Sequence, residues 1–130
     1  MTLNFKDRLV GERITLVWTK PDIDMARAIF SVIDDNREHL RTWFQWEKQT
    51  LKLEDSLRYL FRREEQEKLG KTVEYGLYVD DAYIGNIEFF DIDEKKRSAE
   101  IGYWLALSAT RNGYMTEAVK ILEKEFFEDF

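Results

Sequence analysis

The chain contains no cysteine, which excludes disulfides, thiolate metal sites and cysteine nucleophiles together and fits a reducing, cytoplasmic setting. Its single histidine is His39. One imidazole with no thiol beside it builds neither a metal cluster nor, without a supporting motif, a convincing triad, so no metal is expected. Nowhere does an apolar run approach the ~20 residues that span a bilayer, and the first ten residues carry Lys6, Asp7 and Arg8 where a signal peptide is apolar. The expectation is a protein neither exported nor inserted, with no membrane partner. Positive charge is also short: 20 Lys and Arg stand against 26 Asp and Glu, a net charge of −6. A long phosphate backbone would meet repulsion, so direct nucleic-acid binding is not expected. An acidic surface suits a cationic peptide or polyamine, or serves solubility alone.

What is present is a chain of 130 residues, 44% hydrophobic and 35% charged, the profile of one globular domain over residues 1–130. Four Trp, six Tyr and nine Phe exceed the need of a small core, so some are expected to line a site. Glu12 to Trp18 reads as a first strand. Pro21 with Asp22 and Asp24 predicts a helix start; Ala26, Ile29, Phe30 and Ile33 then recur at helical spacing until an end near Asp34 to Asn36. Asn36 to Trp46 is too mixed in period for a clean helix and too aromatic for a plain linker, and reads as a functional connection. Leu53, Leu57, Leu60 and Phe61 restore a helical stripe, with Arg62 to Lys68 as its solvated face and Gly70 as its stop.

From Thr72 the period becomes two. Val73, Tyr75, Leu77 and Val79 alternate with Glu74, Gly76, Tyr78 and Asp80, and an Asp80-Asp81 turn leads into Tyr83 to Phe90, an antiparallel hairpin. After a charged turn at Asp93 to Lys96, Ser98 to Leu107 is almost continuously apolar beyond Glu100 and is expected to be a central strand covered on both faces. Met115, Ala118, Val119, Leu122 and Phe126 form the stripe of a last helix. The expected class is α/β (α+β): a mostly antiparallel, twisted sheet flanked by helices.

This order of elements resembles the first two-thirds of a GNAT-type N-acetyltransferase, and two segments sharpen the likeness. Asn36-Arg37-Glu38-His39-Leu40-Arg41-Thr42-Trp43-Phe44-Gln45-Trp46 is similar to the asparagine, leucine and paired-tryptophan segment of the RimJ/RimL branch. Ala99-Glu100-Ile101-Gly102-Tyr103-Trp104-Leu105, followed by Gly113-Tyr114-Met115-Thr116-Glu117-Ala118-Val119, resembles that branch's central strand and cofactor loop. The resemblance covers nearly the whole chain from Glu12 onward. It implies acetyl-CoA as cosubstrate and an amine as acceptor, in that branch the N-terminal amine of a ribosomal protein. A small-molecule amine acetyltransferase, or a catalytically silent CoA-binding or protein-interaction module, remains the alternative.

A helix start with unpaired amides and partial positive charge suits a pyrophosphate. The residues implied there are Thr110, Arg111, Asn112, Gly113, Tyr114, Met115 and Thr116, although Gly113 alone would also serve as an ordinary helix start. The loop departs from the family's Q/R-x-x-G-x-G/A: Thr110 replaces the usual Gln or Arg, Met115 holds the last position, and Arg111 stands where the branch commonly has glycine. Backbone groups of Leu105, Ala106 and Leu107 are expected to face pantetheine and the acetyl carbonyl. Glu100 is the first candidate for the base that takes the ammonium proton and Glu88 the second. His39, Trp43 and Trp46 are candidate acceptor contacts, with capping and core packing as their plainer roles.

In the family a further strand, a helix and a closing strand pair follow the last helix read here. The resemblance therefore implies that a chain ending at Phe130 lacks the C-terminal strand-helix-hairpin together with the acid that protonates the leaving thiolate, and is weakly active or silent. An uncovered apolar edge at Ala99 to Ala106, with Phe126, Phe127 and Phe130 on the last helix, predicts a homodimer or higher oligomer.

Overall fold

The computed structural model describes residues 5–129, and side chains over residues 5–126. Strands β1 (Arg8–Val10) and β2 (Thr15–Trp18) precede helices α1 (Ile23–Asp35) and α2 (Arg37–Trp43), a short 3-10 helix (Trp46–Gln49) and α3 (Leu53–Lys68). Strands β3 (Val73–Val79), β4 (Ala82–Asp93) and β5 (Ser98–Leu105) follow, then a 3-10 turn (Leu107–Ala109) and α4 (Tyr114–Asp129). The strands make one antiparallel sheet in the order β1-β2-β3-β4-β5, the expected class.

Local chemistry sets most boundaries. Asp22, just after Pro21, accepts from the Met25 amide at 2.7 Å and caps α1, whose buried stripe is Met25, Ala26, Ile29 and Ile33. Gly70 ends α3 with φ +74, the left-handed conformation that glycine adopts without a Cβ penalty. Asp80 and Asp81 both have positive φ, which closes a tight β3–β4 hairpin between Val79 and Ala82.

The sheet separates two cores. On one face Leu16, Tyr75, Leu77, Ile87 and Phe89 pack with Ala118, Leu122 and Phe126 of α4. On the other, Met25, Ala26, Ile29, Ile33, Leu40 and Leu60 pack together across α1, α2 and α3. Phe126, expected on an open underside, is buried and packs edge-on against Phe89 at 5.2 Å between ring centroids; the Phe127 and Phe130 side chains lie outside the described residues.

Four expectations change. Asn36 to Trp46 is mostly helix, and it showed no stripe because Leu40 alone is buried along α2. Phe61 is 53% exposed, and Ser56 takes the inner face with Leu60. Within the supposedly solvated run, Arg63 turns inward, its side chain only 15% exposed. Among the described residues β5 is an edge strand paired with β4 alone; its apolar run is not covered on both faces, and Ile101 and Tyr103 stand exposed.

Candidate functional site

Between α1, α3 and the sheet lies a cavity of about 310 Å³. Ser56, Tyr59 and Arg63 stand on one face of α3, being three and four residues apart, and all three line it. Across from them are Glu74 of β3, Asn86 and Glu88 of β4, and Trp104 of β5. The antiparallel register puts Glu74 opposite Glu88 and Glu88 opposite Gly102. A Cβ at Gly102 would lie 3.3 Å from Glu88 Oε1, so this glycine keeps room for the carboxylate.

One guanidinium serves two carboxylates. Arg63 Nη1 stands 2.7 Å from Glu88 Oε2, and Nη2 lies 3.8 Å from Glu74 Oε2. Arg63 also donates to the Tyr59 hydroxyl at 3.0 Å and to Thr72 Oγ1 at 3.2 Å. Glu74, 3% exposed, accepts from Tyr59 Oη and from Thr19 Oγ1. Burial pushes the Glu74 carboxyl above its ordinary range although Arg63 and Tyr59 oppose this. Burial likewise raises Glu88 against Arg63. Tyr59 is held well above an ordinary phenol by burial and by Glu74. Burial disfavours the Arg63 charge, but Glu74, Tyr59 and Glu88 outweigh it and keep the guanidinium protonated.

Trp46 and Trp104 give the wall an aromatic part. Trp46 meets Trp104 at 5.6 Å between centroids and Phe44 at 5.3 Å. Tyr83 stands edge-on to Trp104 and donates to Asn86 Oδ1. Of the candidate acceptor contacts, Trp46 lines the cavity, whereas Trp43 is 73% exposed. His39 faces the end of β5, where its Nε2–H donates to the Leu105 carbonyl at 3.2 Å. Glu100 is exposed on β5 and is not part of the cavity wall; Glu88 is.

The end of β5 is held from three directions. Ala106 N–H donates to the Ile84 carbonyl at 2.8 Å and Leu107 N–H to Asn36 Oδ1 at 2.9 Å. Because the Leu105 carbonyl faces His39, alternation along the strand turns the Leu105 amide away from β4 as well. Thus two of the three backbone amides anticipated for a ligand are engaged within the chain.

Beyond the 3-10 turn, Thr110 Oγ1 donates to the Leu107 carbonyl at 2.7 Å and Asn112 Nδ2 to the Thr110 carbonyl at 3.2 Å. Arg111 and Gly113 both have positive φ, +67 and +79, and the Gly113 carbonyl accepts from the Glu117 amide at 3.1 Å as α4 begins. The first-turn amides of Tyr114, Met115 and Thr116 therefore point along the axis of a four-turn helix. Arg13 fixes this turn: Nη1 donates to the Asn112 carbonyl at 2.7 Å, Nε donates to Glu117 Oε1 at 2.9 Å, and the guanidinium lies 5.0 Å from the Tyr114 ring. Arg111 itself is exposed.

Sequence reading missed Ser56, Tyr59, Arg63, Glu74 and Arg13. One signal was available: Glu74 occupies an alternating strand position that must face a core, and a buried carboxylate demands a cation.

Residues 13–130 match the model of the acetyltransferase (GNAT) domain. The chain belongs to the GNAT family. A Bacillus subtilis (strain 168) protein named "Putative ribosomal N-acetyltransferase YdaF" is 28% identical over 123 residues, covering 92% of this chain and 65% of its own length. Mycobacterium smegmatis RimJ, solved with CoA-disulfide, superposes with a TM-score of 0.83 at 20% identity, over 98% of this chain and 65% of that one. The microcin self-immunity acetyltransferase MccE, solved with acetyl-CoA and AMP, gives 0.82 at 22% identity, over 91% and 64%. The chain thus spans just under two-thirds of the length of these relatives. At such identities the two structures establish the fold. Among the described residues no helix is long and apolar enough to cross a membrane, and no three His, Asp or Glu side chains are grouped to hold a metal ion.

Proposed function

We propose that this protein moves the acetyl group of acetyl-CoA to a primary amine, most simply the N-terminal amine of a protein, as the names of the relatives indicate for them. The observation that carries the reading is Glu88: a carboxylate in the cavity wall, beside Gly102 and Trp104 of β5, with its proton affinity raised by burial. An acceptor enters as an ammonium ion and must lose a proton before its nitrogen can attack the thioester carbon. A carboxylate whose pKa is shifted toward the working pH takes that proton better than an exposed one. Glu88 acts as this base, directly or through one water, while Trp46 and Trp104 hold the cation's approach path. The bond formed is the amide C–N and the bond broken is the thioester C–S, with CoA leaving as a thiolate that takes up the second proton lost by the attacking nitrogen.

On the far side of β5, the turn from Thr110 to Thr116 holds the CoA pyrophosphate through the first-turn amides of α4, with Arg111 in reach of solvent phosphate and Arg13 keeping the turn closed. Of the three amides at the strand end, Leu105 offers the one that neither Ile84 nor Asn36 engages. A cytoplasmic setting belongs to the same reading, supported by the ribosomal substrates in the relatives' names. So does self-association along β5, where Ile101 and Tyr103 are exposed; light scattering tests it.

The decisive experiment compares Glu88→Gln with Glu100→Gln. The first lowers kcat/KM by roughly 10²–10⁴ without weakening acetyl-CoA binding, and the second leaves turnover nearly unchanged. Equal losses in both, or absence of acetyl-CoA binding by the folded chain in calorimetry, removes the proposal.

A further inference from the structure

Three polar atoms in the cavity wall have no hydrogen-bond partner among the described residues: Ser56 Oγ and Arg63 Nε on α3, and, across from them, Glu88 Oε2, whose contact with Arg63 Nη1 is an ion pair. Ser56 is 1% exposed and still lines the cavity. Arg63 commits Nη1 and Nη2 to Glu88, Thr72 and Tyr59, which leaves Nε as the unused donor of a guanidinium already fixed beside Glu88. Buried polar groups are almost always satisfied, and those that are not mark a strained site or the place of a missing partner. The two on α3 share one helix face and are alike in that each can donate a hydrogen to an oxygen, whereas the ionised Glu88 Oε2 accepts, as from an ammonium.

We infer that the cavity selects its amine by a second group: an oxygen acceptor, hydroxyl or carbonyl, carried close to the nitrogen. The acceptor's role as acetyl receiver rests on the acetyltransferase reading; the selectivity does not. The argument is one of spacing. Glu88 takes the ammonium, and Arg63 Nε, on the same guanidinium that pairs with Glu88, lies next to that position. Ser56 stands two turns earlier on α3, about 10 Å along the axis between the Cα atoms, and side chains of a helix lean toward its N-terminus, so the Arg63 side chain closes part of that distance. An oxygen adjacent to the amine meets Nε, and one further along the molecule meets Ser56. An alkylamine of the same size fills the space between Trp46 and Trp104 but leaves both donors buried and unpaired. Sites built to hydrogen-bond an oxygen discriminate strongly against analogues that lack it, because the site's own groups are then left unsatisfied.

The test uses the whole chain and a matched series: alaninamide (carbonyl only), alaninol (hydroxyl only) and sec-butylamine (neither). Binding is read from tryptophan fluorescence, since Trp46 and Trp104 line the cavity, and from calorimetry. At least one oxygen-bearing amine should bind tenfold or more tightly than sec-butylamine, and which one does so tells a hydroxyl from a carbonyl. In Ser56→Ala that ratio should fall to about two, with the sec-butylamine affinity unchanged and the melting temperature not lowered, because the lost hydroxyl satisfied nothing in the fold. Equal affinities across the series, no amine binding at all, or a ratio untouched by Ser56→Ala overturns the inference. A clear drop in melting temperature does so too, since it would mean that Ser56 is already bonded. A parallel acetyl-CoA titration separates the two levels: CoA binding without amine selectivity sinks this inference alone, and selectivity without CoA binding sinks the acetyltransferase reading alone.

Discussion

Arg13 and Glu117 hold each other at 2.9 Å, joining the approach to β2 to the first turn of α4. The backbone amides of Arg13 and Ile14 donate to the other oxygen of the same carboxylate, at 2.9 and 3.3 Å. Burial pushes the Glu117 carboxyl up, but these donors outweigh it and hold it below its ordinary range. A carboxyl lowered in the folded state contributes stability above its unfolded pKa, and loses it as pH falls through the folded value.

Arg13→Ala removes the side-chain half of this junction. The pair is half solvent-exposed on the arginine side, so stability should fall by only about 0.5–1 kcal/mol. Acetyl-CoA affinity should drop further, roughly tenfold, because the Asn112 carbonyl loses the donor that sets the turn. Paired calorimetric and thermal-melt titrations check the ratio; a stability loss exceeding the binding loss defeats it.

Of the glycines, Gly85 has the least room for a side chain. A Cβ there would lie 2.1 Å from the Trp104 carbonyl oxygen, and its φ is +153. Gly85→Ala should cost on the order of 3 kcal/mol through overpacking and backbone strain, near 12 °C in melting temperature at about 4 °C per kcal/mol. A melt within 3 °C of the parent contradicts it.

Arg63→Met strips the guanidinium that faces both Glu74 and Glu88. A buried Glu74 and a half-buried Glu88 left without their cation should destabilise the fold by about 3 kcal/mol. The deficit should shrink as pH is lowered toward 5, because burial raises both carboxyls and the folded state then takes up protons that the unfolded chain does not bind. Urea melts at pH 8 and pH 5 decide it, and adding Glu88→Gln to the same chain should recover part of the loss.

Glu67 accepts a hydrogen bond from the Trp18 indole and is pushed up to about 7, chiefly by burial and further by Glu74. Its folded pKa lies above the unfolded one, so its ionisation opposes folding. Stability should rise as pH falls from about 7 toward 4.5, the interval between the two values. Glu67→Gln keeps an oxygen for Trp18 and removes that ionisation. It should raise stability at pH 8 by roughly 1 kcal/mol, discounted for the solvent-facing part of the side chain, and change little at pH 5. A loss at pH 8 would show that the charge itself supports the fold.

Much of the architecture is legible because the chain states it locally. Asp22 and Gly70 mark helix ends, the Asp80-Asp81 pair marks a hairpin, and the Val73 to Val79 alternation marks a strand. β1 is hidden because three residues carry no period. α2 is hidden because only Leu40 along it is buried. β4 runs past Phe90 through Asp91, whose positive φ interrupts the pattern. The cavity is the least legible part. Phe61 outweighs Ser56 and Arg63 on any hydrophobic scale, yet it is the latter two that face inward, because the register brings Glu74 and Glu88 beneath them and a buried carboxylate pair recruits a cation before a phenyl ring. The family motifs mark β5 and the start of α4, and Asn36 within them does structural work that spacing does not reveal.

That asparagine, with His39, gives the fold a property beyond positioning. The junction of α1 and α2, which carries Asn36, and the α2 turn that carries His39 grip Leu107 and Leu105, while the chain running on from α2 brings Trp46 to the cavity wall. On the reading proposed above, a ligand at the strand end and a ligand in the cavity would both bear on this one clasp. Thermodynamic reciprocity then applies: whatever factor one occupant imposes on the other's affinity is returned in full. Measured as a cycle of four dissociation constants, coupling between the two proposed sites should be weaker in Asn36→Ala than in the parent chain, and a cycle that closes without coupling in both would overturn the idea.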